Sequence, residues 1–406
     1  MRAVGTEPAS GVEAGSVLVT DGRANSALAV ARQFDRHGLV VHTGEAFTHS
    51  ITARSAATAE SHTYPSADDE PAAFKRWLAA LLDREAFDLV VPVRDATTRL
   101  VAEMAETFPA GTATLLDTPD RIEQLQDKAR FGKLAAELGV PTPTTHFPDE
   151  TDIETIRREA TFPVVVKPTN ASGARGIRRV ERPEELLAAV RAVRREDGEV
   201  IVQEFVDHSG GHYSIGAVFD REGTPRTVHA YKELLQYPDS GGPAIRAKTV
   251  AIEPWVDEML GLLEAIEWTG PAHMDVLFDP DEERYKLLEV NPRLWSSIAL
   301  TIDSGVDIPG VMLDIVNGTE PASSSDYRTD QCYRWVLPNE LLWAFDGWNT
   351  PARIARLLER DGAATTYSIL SRADPGAAVG AALQSARWLM APEKRKQIFG
   401  RGWRDE

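Results

Sequence analysis

The sequence predicts an α/β protein that changes to an α+β arrangement in its later part. In residues 16–104, short apolar runs alternate with segments of helical periodicity, as in an open parallel sheet with helices on its faces. Residues 272–278 and 284–290 are strand-like runs on either side of a turn rich in Pro and Asp, which predicts a β-hairpin within a larger sheet. Residues 319–406 are predicted to be mostly helical.

A βαβ unit, with the strands and helices that come after it, predicts the first sheet. Residues 1–15 are small and polar without periodicity, and we expect a disordered tail there. The pattern then predicts, in order, strand 17–20, helix 26–37, strand 39–42, helix 71–84, strand 89–93 and a helix from Ala96. The first turn, TDGRANSA, has one glycine where the dinucleotide fingerprint needs three, so NAD binding is not expected. Some strand-end residues are candidates to face a cleft, although turn and capping roles are more common: Asp21, Gly22, Arg94 and Asp95.

Composition and charge bound the class of protein. No apolar run approaches the roughly 18 residues of a membrane span, and no basic region followed by an apolar core begins the chain, so we expect no membrane association and a cytoplasmic location. The formal charge of −18 argues against nucleic-acid binding by the surface as a whole. The single cysteine, Cys332, excludes an internal disulfide and a cysteine-based zinc cage.

The basic residues are mostly arginine, with about nine lysines among 44. An acidic, lysine-poor surface suits a protein kept soluble in a salt-rich cytoplasm, while GC-biased coding gives a similar arginine excess. Maximal solubility and stability below about 0.5 M KCl would count against the halophilic interpretation.

Two lysines in the middle of the chain are candidates for binding phosphate. Residues 127–138 read as a helix that ends at Gly139 before the extended VPTP, which marks the first domain boundary. Lys128 begins this helix, where a cation opposes the helix dipole, so a functional role and an exposed surface position are equally plausible.

Lys167 ends the predicted strand 164–166 and precedes a glycine-rich loop. Backbone N–H groups at Ser172, Gly173 and Gly176 can approach an anion closely, because glycine has no Cβ. The order differs from the Walker motif, and a hairpin loop with an exposed lysine is the alternative.

Residues 200–205 are predicted as the next strand. Glu204 to Val206 could hold a flat heterocycle against the sheet, with backbone groups bonding its edge and apolar side chains covering its faces, although this stretch is not specific in isolation. Strands at 213–219 and 227–233 follow. The stretch LLQYPDSGGPAIRAKTV, residues 234–250, is dense in Pro and Gly and is predicted to be an ordered loop too long for a hairpin turn.

The hairpin at 272–290 carries one acid on each strand, Asp275 and Glu289, and Asn291 follows on the same face as Glu289. Carboxylates among apolar neighbours need a partner. A divalent cation is one candidate, with Mg²⁺ favoured over zinc because all three ligands are hard oxygen donors. The alternative is that Asp275 pairs with an arginine while Asn291 and Pro292 form a turn.

Taken together in this order and spacing, these residues resemble the ATP-grasp superfamily of carboxylate ligases, over residues 16 to about 318. The segment before Lys128 resembles the Rossmann-like domain that precedes ATP-grasp in proteins similar to carbamoyl-phosphate synthase and carboxylate–amine ligases. The resemblance implies an ATP-grasp domain of two α+β subdomains at 127–318 after a first domain at 16–126, with a C-terminal helical extension at 319–406.

The resemblance also implies roles for individual residues. Lys128 and Lys167 would contact ATP phosphates under the loop 171–176, and Arg293 would meet the transferred phosphoryl group. The adenine hinge would be Glu204, Phe205 and Val206. The metal, Mg²⁺ or Mn²⁺, would be held by Asp275, Glu289 and Asn291. Where many relatives have a glutamate for the ribose hydroxyls this chain has His212, with Asp207 as a substitute.

The implied chemistry is phosphorylation of a carboxylate followed by attack of an amine on the acyl phosphate. Its partners would be small-molecule carboxylates and amines, and the resemblance allows a homodimer. Two alternatives stay open: another phosphoryl-transfer enzyme, of the carbamoyl-phosphate or small-molecule kinase type, and a non-catalytic ATP-binding module. In the extension, QCYRWVLPNELLWAFDGW is rich in Trp and Leu and is expected to pack on the catalytic domain or a second subunit. The rest is expected to form a helical cap over the cleft.

Overall fold

The first sheet is parallel and has helices on its faces, as the sequence predicts. The computed structural model describes residues 15–170, 176–238, 241–321, 325–346, 350–359 and 364–390. In chain order the first elements are β1 Ser16–Val19, α1 Asn25–Arg36, β2 Val40–Glu45, β3 Glu60–Thr63, α2 Pro71–Leu82, β4 Leu89–Val91 and α3 Asp95–Met104. The strand order is β3-β2-β1-β4, with each neighbouring pair parallel. Strand β3 was not predicted because its sequence, ESHT, has no apolar run; its backbone pairs with β2.

A small antiparallel sheet follows. Its elements and their connections are α4 Pro119–Gln126, α5 Lys128–Leu138, β5 Thr145–His146, α6 Ile153–Glu159, β6 Val164–Pro168, β7 Arg178–Val180, α7 Leu186–Asp197 and β8 Val200–Glu204. The strand order is β5-β8-β6-β7. Apolar residues of α6 and α7 cover one face, including Ile156, Leu186 and Val190. Helix α5 ends at Gly139, whose φ of 70° is the left-handed conformation that glycine adopts without strain.

The large sheet carries the predicted hairpin. Its elements and the helices packed on it are β9 His212–Phe219, β10 Pro225–Gln236, β11 Ala244–Thr249, α8 Pro254–Ala265, β12 Gly270–Asp279, β13 Arg284–Asn291, α9 Ile298–Ser304 and α10 Ile308–Val316. Strands β12 and β13 pair antiparallel, which confirms the predicted β-hairpin. On one face, α8 buries Val256, Met259 and Leu263 against the sheet.

The long loop predicted over residues 234–250 is wrong. Strand β10 extends to Gln236, β11 begins at Ala244, and these two residues face each other across an antiparallel pair. Pro and Gly are concentrated in the short connection between the strands. They interrupt the β structure there and leave the flanking residues able to pair. Residues 239 and 240 lie outside the described residues.

The C-terminal extension adds two short strands to its helices: β14 Cys332–Arg334, α11 Leu341–Phe345, α12 Thr350–Leu358, β15 Thr365–Tyr367 and α13 Pro375–Met390. Strand β14 pairs with β11 and β15 with β14, so the large sheet reads β13-β12-β9-β10-β11-β14-β15. Trp343 packs with Tyr237 and Ile245, as the Trp-rich composition predicted. Helix α13 lies on the first domain, where the Arg387 guanidinium stands 5.1 Å from the Phe47 ring centroid.

No helix among the described residues is long and apolar enough to span a bilayer.

Candidate active site

The hairpin brings the predicted metal ligands together. Antiparallel pairing places Asp275 opposite Glu289, and Asn291 opposite His273 one pleat further on. Asn291 Nδ2 donates hydrogen bonds to Asp275 Oδ2 at 3.1 Å and to Glu289 Oε1 at 3.3 Å. The three side chains therefore meet at one edge of the large sheet.

The donor set fits Mg²⁺ or Mn²⁺. Two carboxylates that share one amide donor carry negative charge that a divalent cation would neutralise, and their oxygens are the ligands that Mg²⁺ prefers. The Asn291 oxygen, however, accepts from Arg293 Nη2 at 3.0 Å and so faces away from the carboxylates. Its participation as a ligand requires the amide to turn.

Two histidines, rather than an arginine, lie against Asp275. His212 Nε2 is 3.6 Å from Oδ1, and His273 Nδ1 is 3.8 Å from Oδ2. Burial alone would raise the pKa of Asp275, but the positive charge available from His273, His212 and Arg293 outweighs it and lowers the pKa well below its usual range. Asp275 is therefore ionised at neutral pH and ready to bind a cation.

His212 lies beside the metal ligands. Its ring stands between Asp275 and Glu233, with Nδ1 3.8 Å from Glu233 Oε2. Burial opposes its charge, but Glu233 and Asp275 raise the pKa of His212 to about 9. Asp207, the other residue expected at the ribose, caps the short turn His208–Gly210, and both its oxygens accept from Ser209, at 3.0 and 2.7 Å. The ribose roles of His212 and Asp207 stay predictions.

The two lysines approach the carboxylates from different elements. Lys128 Nζ is 3.7 Å from Glu289 Oε2, and its backbone N–H donates to the Thr169 carbonyl just past β6. Lys167 Nζ donates to Gln203 Oε1 at 2.7 Å. Burial and, less strongly, the charge of Lys128 lower the pKa of Lys167 to about 8, although Glu289 opposes them. The two ammonium groups and Glu289 are thus close enough to influence one another.

The glycine-rich loop is only partly described. Ser172 and Gly173 lie outside the described residues. Gly176 has a φ of 70°, and a Cβ there would lie 2.5 Å from Asp197 Oδ2 and 2.9 Å from Pro168 Cγ. At Gly176 the chain comes back against β6, and only glycine can adopt this conformation there without strain.

At the predicted adenine hinge, the side chains of Glu204, Phe205 and Val206 already contact other groups of the protein. The Glu204 carboxylate accepts from Lys286 Nζ at 3.2 Å and from the Thr144 N–H at 3.0 Å, so it is already engaged by protein donors. The Arg179 guanidinium stands 4.0 Å from the Phe205 ring centroid, and Val206 is buried. Any contact of Glu204 with a heterocycle edge would therefore come from its backbone.

A cavity of about 490 Å³ joins the metal ligands to the first domain. On one side its lining includes Arg94, Asp95 and Arg99, from α3 and the turn before it. On the other side it includes Lys128, Glu289 and Asn291. Arg293 stands beside these residues, because its Nε donates to Asp95 Oδ1 at 2.5 Å. The strand-end position of Arg94 and Asp95 was the sequence signal for this cleft.

Three residues of the site escaped sequence analysis: Gln203, Glu233 and His273. His273 and Asp275 are two residues apart in one strand, so the strand period was a signal that they share a face. Gln203 precedes the hinge by one residue and faces Lys167. Glu233 carried no such signal, because it reaches Ser214 and His212 from another strand.

The fold and the arrangement of these residues define an ATP-grasp protein. Residues 127–322 match the family model described as "Carbamoyl-phosphate synthase L chain, ATP binding domain". The carbamoyl phosphate synthase large chain, C-terminal section, of Methanopyrus kandleri is 24% identical over 210 residues, which are 49% of this chain and 38% of the relative. The chain thus spans less than half the length of this relative.

Two solved structures are similar in fold. The biotin carboxylase domain of the Hydrogenobacter thermophilus 2-oxoglutarate carboxylase, a dimer solved with MgADP, ADP and bicarbonate, aligns with a TM-score of 0.64 at 18% identity, over 78% of this chain and 73% of that one. The L-amino acid ligase of Bacillus licheniformis aligns with a TM-score of 0.55 at 19% identity, over 74% of each chain. At these identities the likeness concerns the fold.

Proposed function

We propose that this protein is an ATP-dependent ligase that activates a carboxylate as an acyl phosphate for attack by an amine. The observation that carries the proposal is the convergence of Lys128, Glu289, Asn291 and Asp95 on one cavity, with Arg293 held at its edge. Phosphoryl transfer needs positive charge around the equatorial oxygens of the transferred group, and Lys128 and Arg293 would supply part of it.

Asp275 and Glu289 would hold Mg²⁺ or Mn²⁺, with Asn291 completing the set once its amide turns. When bound, the ion would neutralise charge on the triphosphate. Lys128 and Lys167 would bind the phosphate oxygens as mobile point charges. The hinge 204–206 would take the adenine, with the Val206 side chain against the ring.

The acid substrate would lie on the first-domain side of the cavity. Arg94 and Arg99 are the cationic side chains of that wall, and a guanidinium binds a carboxylate through two parallel hydrogen bonds. Arg293, fixed by Asp95, would then stand near the acyl phosphate oxygen and stabilise the charge that develops there.

Each step balances in atoms and charge. A carboxylate oxygen attacks the γ-phosphorus of ATP, the bond to the β,γ-bridging oxygen breaks, and ADP leaves. The neutral amine then attacks the acyl carbon, phosphate leaves, and the amine proton passes to phosphate or water. Closing the cavity against water would protect the acyl phosphate from hydrolysis.

We also propose the division into a first domain at 16–126, an ATP-grasp domain at 127–318 and an extension at 319–406. A homodimer is the proposed assembly, supported by the dimeric state in which the Hydrogenobacter domain was solved. The proposed location is the cytoplasm, where ATP is available.

The test is a screen for ADP release with pairs of acids and amines, including amino acids and bicarbonate. We expect release that needs both substrates, and transfer of ¹⁸O from the labelled acid to phosphate. Glu289→Gln should lose this activity, while Glu185→Gln on the distant surface should keep it. ADP release that ignores the acid, phosphate without label, or normal turnover by Glu289→Gln would refute the proposal.

A further inference from the structure

A second group of metal-ligating side chains lies in the first domain, apart from the ATP-grasp residues. His42 is on β2, His62 is on the edge strand β3, and Glu85 follows α2 on the way to β4. The register of the two strands places His42 opposite Glu60 and His62 opposite Gly44, so the two histidines are diagonal neighbours. Nothing in the proposed ligase reaction uses these residues.

The three ligand atoms form a compact triangle. His42 Nδ1 is 2.9 Å from His62 Nε2 and 3.4 Å from Glu85 Oε2, and His62 Nε2 is 3.8 Å from the same oxygen. Three atoms with these separations lie on a circle whose radius is about 2.0 Å, which is the length of a bond from zinc to nitrogen or carboxylate oxygen. A metal ion near the centre would reach all three without movement of the backbone.

Hydrogen bonds within the protein do not satisfy all the polar atoms of His42, His62 and Glu85. Glu85 Oε2 is buried and has no hydrogen-bond partner among the described residues, although Oε1 of the same carboxylate accepts from Arg84. Two imidazole nitrogens 2.9 Å apart can share only one proton between them. The buried carboxylate oxygen lacks a hydrogen-bond donor, and the imidazole pair faces it. A cation between them would satisfy this oxygen and both imidazole nitrogens, which a further proton would not.

The surroundings also suit a metal. Phe87 and Trp77 pack against the two imidazoles, which orients the rings and shields them from water. The remaining nitrogen of His62, Nδ1, is 4.0 Å from Glu60 Oε1, on the side away from the triangle. A carboxylate at that position commonly receives the second N–H of a metal-bound histidine.

We propose that His42, His62 and Glu85 form a binding site for a zinc-type divalent ion in the first domain. Two nitrogens and one oxygen favour Zn²⁺ over Mg²⁺, because imidazole binds borderline metals and Mg²⁺ prefers oxygen donors. A water molecule would complete the coordination of the ion. The ion would join the four-residue edge strand β3 to β2 and to the end of α2, and so stabilise an edge with little apolar burial of its own.

The test is zinc binding by the full chain in the presence of excess MgADP, measured by competition with a chromophoric zinc chelator. MgADP occupies the cleft, where His212, Glu233 and Asp275 are also potential zinc ligands. We expect one Zn²⁺ per chain, and a loss of affinity of more than about 100-fold in His62→Gln and in Glu85→Gln. Zinc should raise the Tm of the wild type but not that of Glu85→Gln.

Two controls separate this site from others. The double variant Asp275→Asn, Glu289→Gln loses the cleft carboxylates and should still bind this zinc. His37→Gln removes a histidine that faces only one carboxylate, Asp307 at 2.7 Å, and should bind as the wild type does. Equal zinc affinity in the wild type and Glu85→Gln, or loss of the ion in the cleft double variant, would overturn the proposal. Glu85→Gln decides the question if His62→Gln does not fold.

Discussion

Arg293, two residues past β13, and Asp95 form an ion pair at the edge of the cavity, with Nε 2.5 Å from Oδ1. Asp95 is the first residue of α3, and the positive end of that helix stabilises its charge. Arg293 lowers the pKa of Asp95 although burial opposes it. The pair holds the guanidinium at the edge of the cavity and also joins α3 to the segment that follows β13.

Asp95→Asn should therefore impair turnover more than nucleotide binding. The amide keeps the shape of the side chain but no longer fixes the charge of Arg293, so we expect ADP formation to fall about 10-fold or more. The Kd for ADP should change by less than about 3-fold, because in the proposed mechanism Arg293 meets the acyl phosphate rather than ADP. Asp120→Asn, which breaks the exposed pair with Arg130, is the control. Unchanged turnover in Asp95→Asn would show that the pair has only a structural role.

Nucleotide binding should weaken as the pH rises through about 8. The pKa of Lys167 is lowered to about 8, chiefly by burial, so the ammonium loses its proton at a pH where other lysines keep theirs. Because the proposed contact of Lys167 with phosphate requires the charged form, the Kd for metal-free ADP should rise up to about 10-fold per pH unit above 8. Lys167→Arg stays charged to above pH 12 and should remove this dependence. The same slope in wild type and Lys167→Arg would contradict the prediction.

Glu340→Gln should strongly destabilise the junction of the C-terminal extension with the large sheet. Glu340 is fully buried and accepts from Arg246 at 3.1 Å and from Arg334 at 3.0 Å. Without the Glu340 carboxylate, two buried guanidinium groups lose one of the negative charges that they contact, and we expect a loss of about 3–5 kcal/mol in the free energy of unfolding. Glu185→Gln breaks an exposed pair with Arg182 and should change the free energy of unfolding far less, because water screens that pair. Denaturant unfolding measures both, and similar values would contradict the prediction.

His229 should make the protein less stable in acid. The ring is fully buried beside Thr301 and Ser304, and burial lowers the pKa of His229 to about 3. The unfolded chain binds a proton at this residue below about pH 6.5, whereas the folded chain does not until about 3, so stability is complete above 6.5 and declines as the pH falls.

The decline due to this one residue is at most about 1.4 kcal/mol per pH unit. His229→Gln takes up no proton, so its free energy of unfolding should change less between pH 7 and about 5 than that of the wild type. Urea unfolding at each pH measures the difference. Parallel curves for the two proteins would count against a buried neutral imidazole.

The sequence by itself determined the elements whose patterns are local. The βαβ start, the helix that ends at Gly139 and the hairpin with Asp275 and Glu289 follow from apolar periodicity and turn residues, and the structure has them. The ATP-grasp resemblance rests on the order and spacing of Lys128, Lys167 with its glycine-rich loop, the QEFV stretch and the set Asp275, Glu289 and Asn291. Strand β3 and the extension of β10 to Gln236 could not be predicted, because both depend on pairing with a neighbouring strand.

Only the tertiary structure decided which side chains share a site. Asp95 and Arg293 are far apart in sequence, and so are Gln203 and Lys167, or Glu233 and His212; no spacing rule connects such pairs. The environment of His212 likewise depends on two strands that fold against its own. The charge that a buried group carries is set by neighbours from several elements, whereas sequence patterns report only the face on which a residue lies.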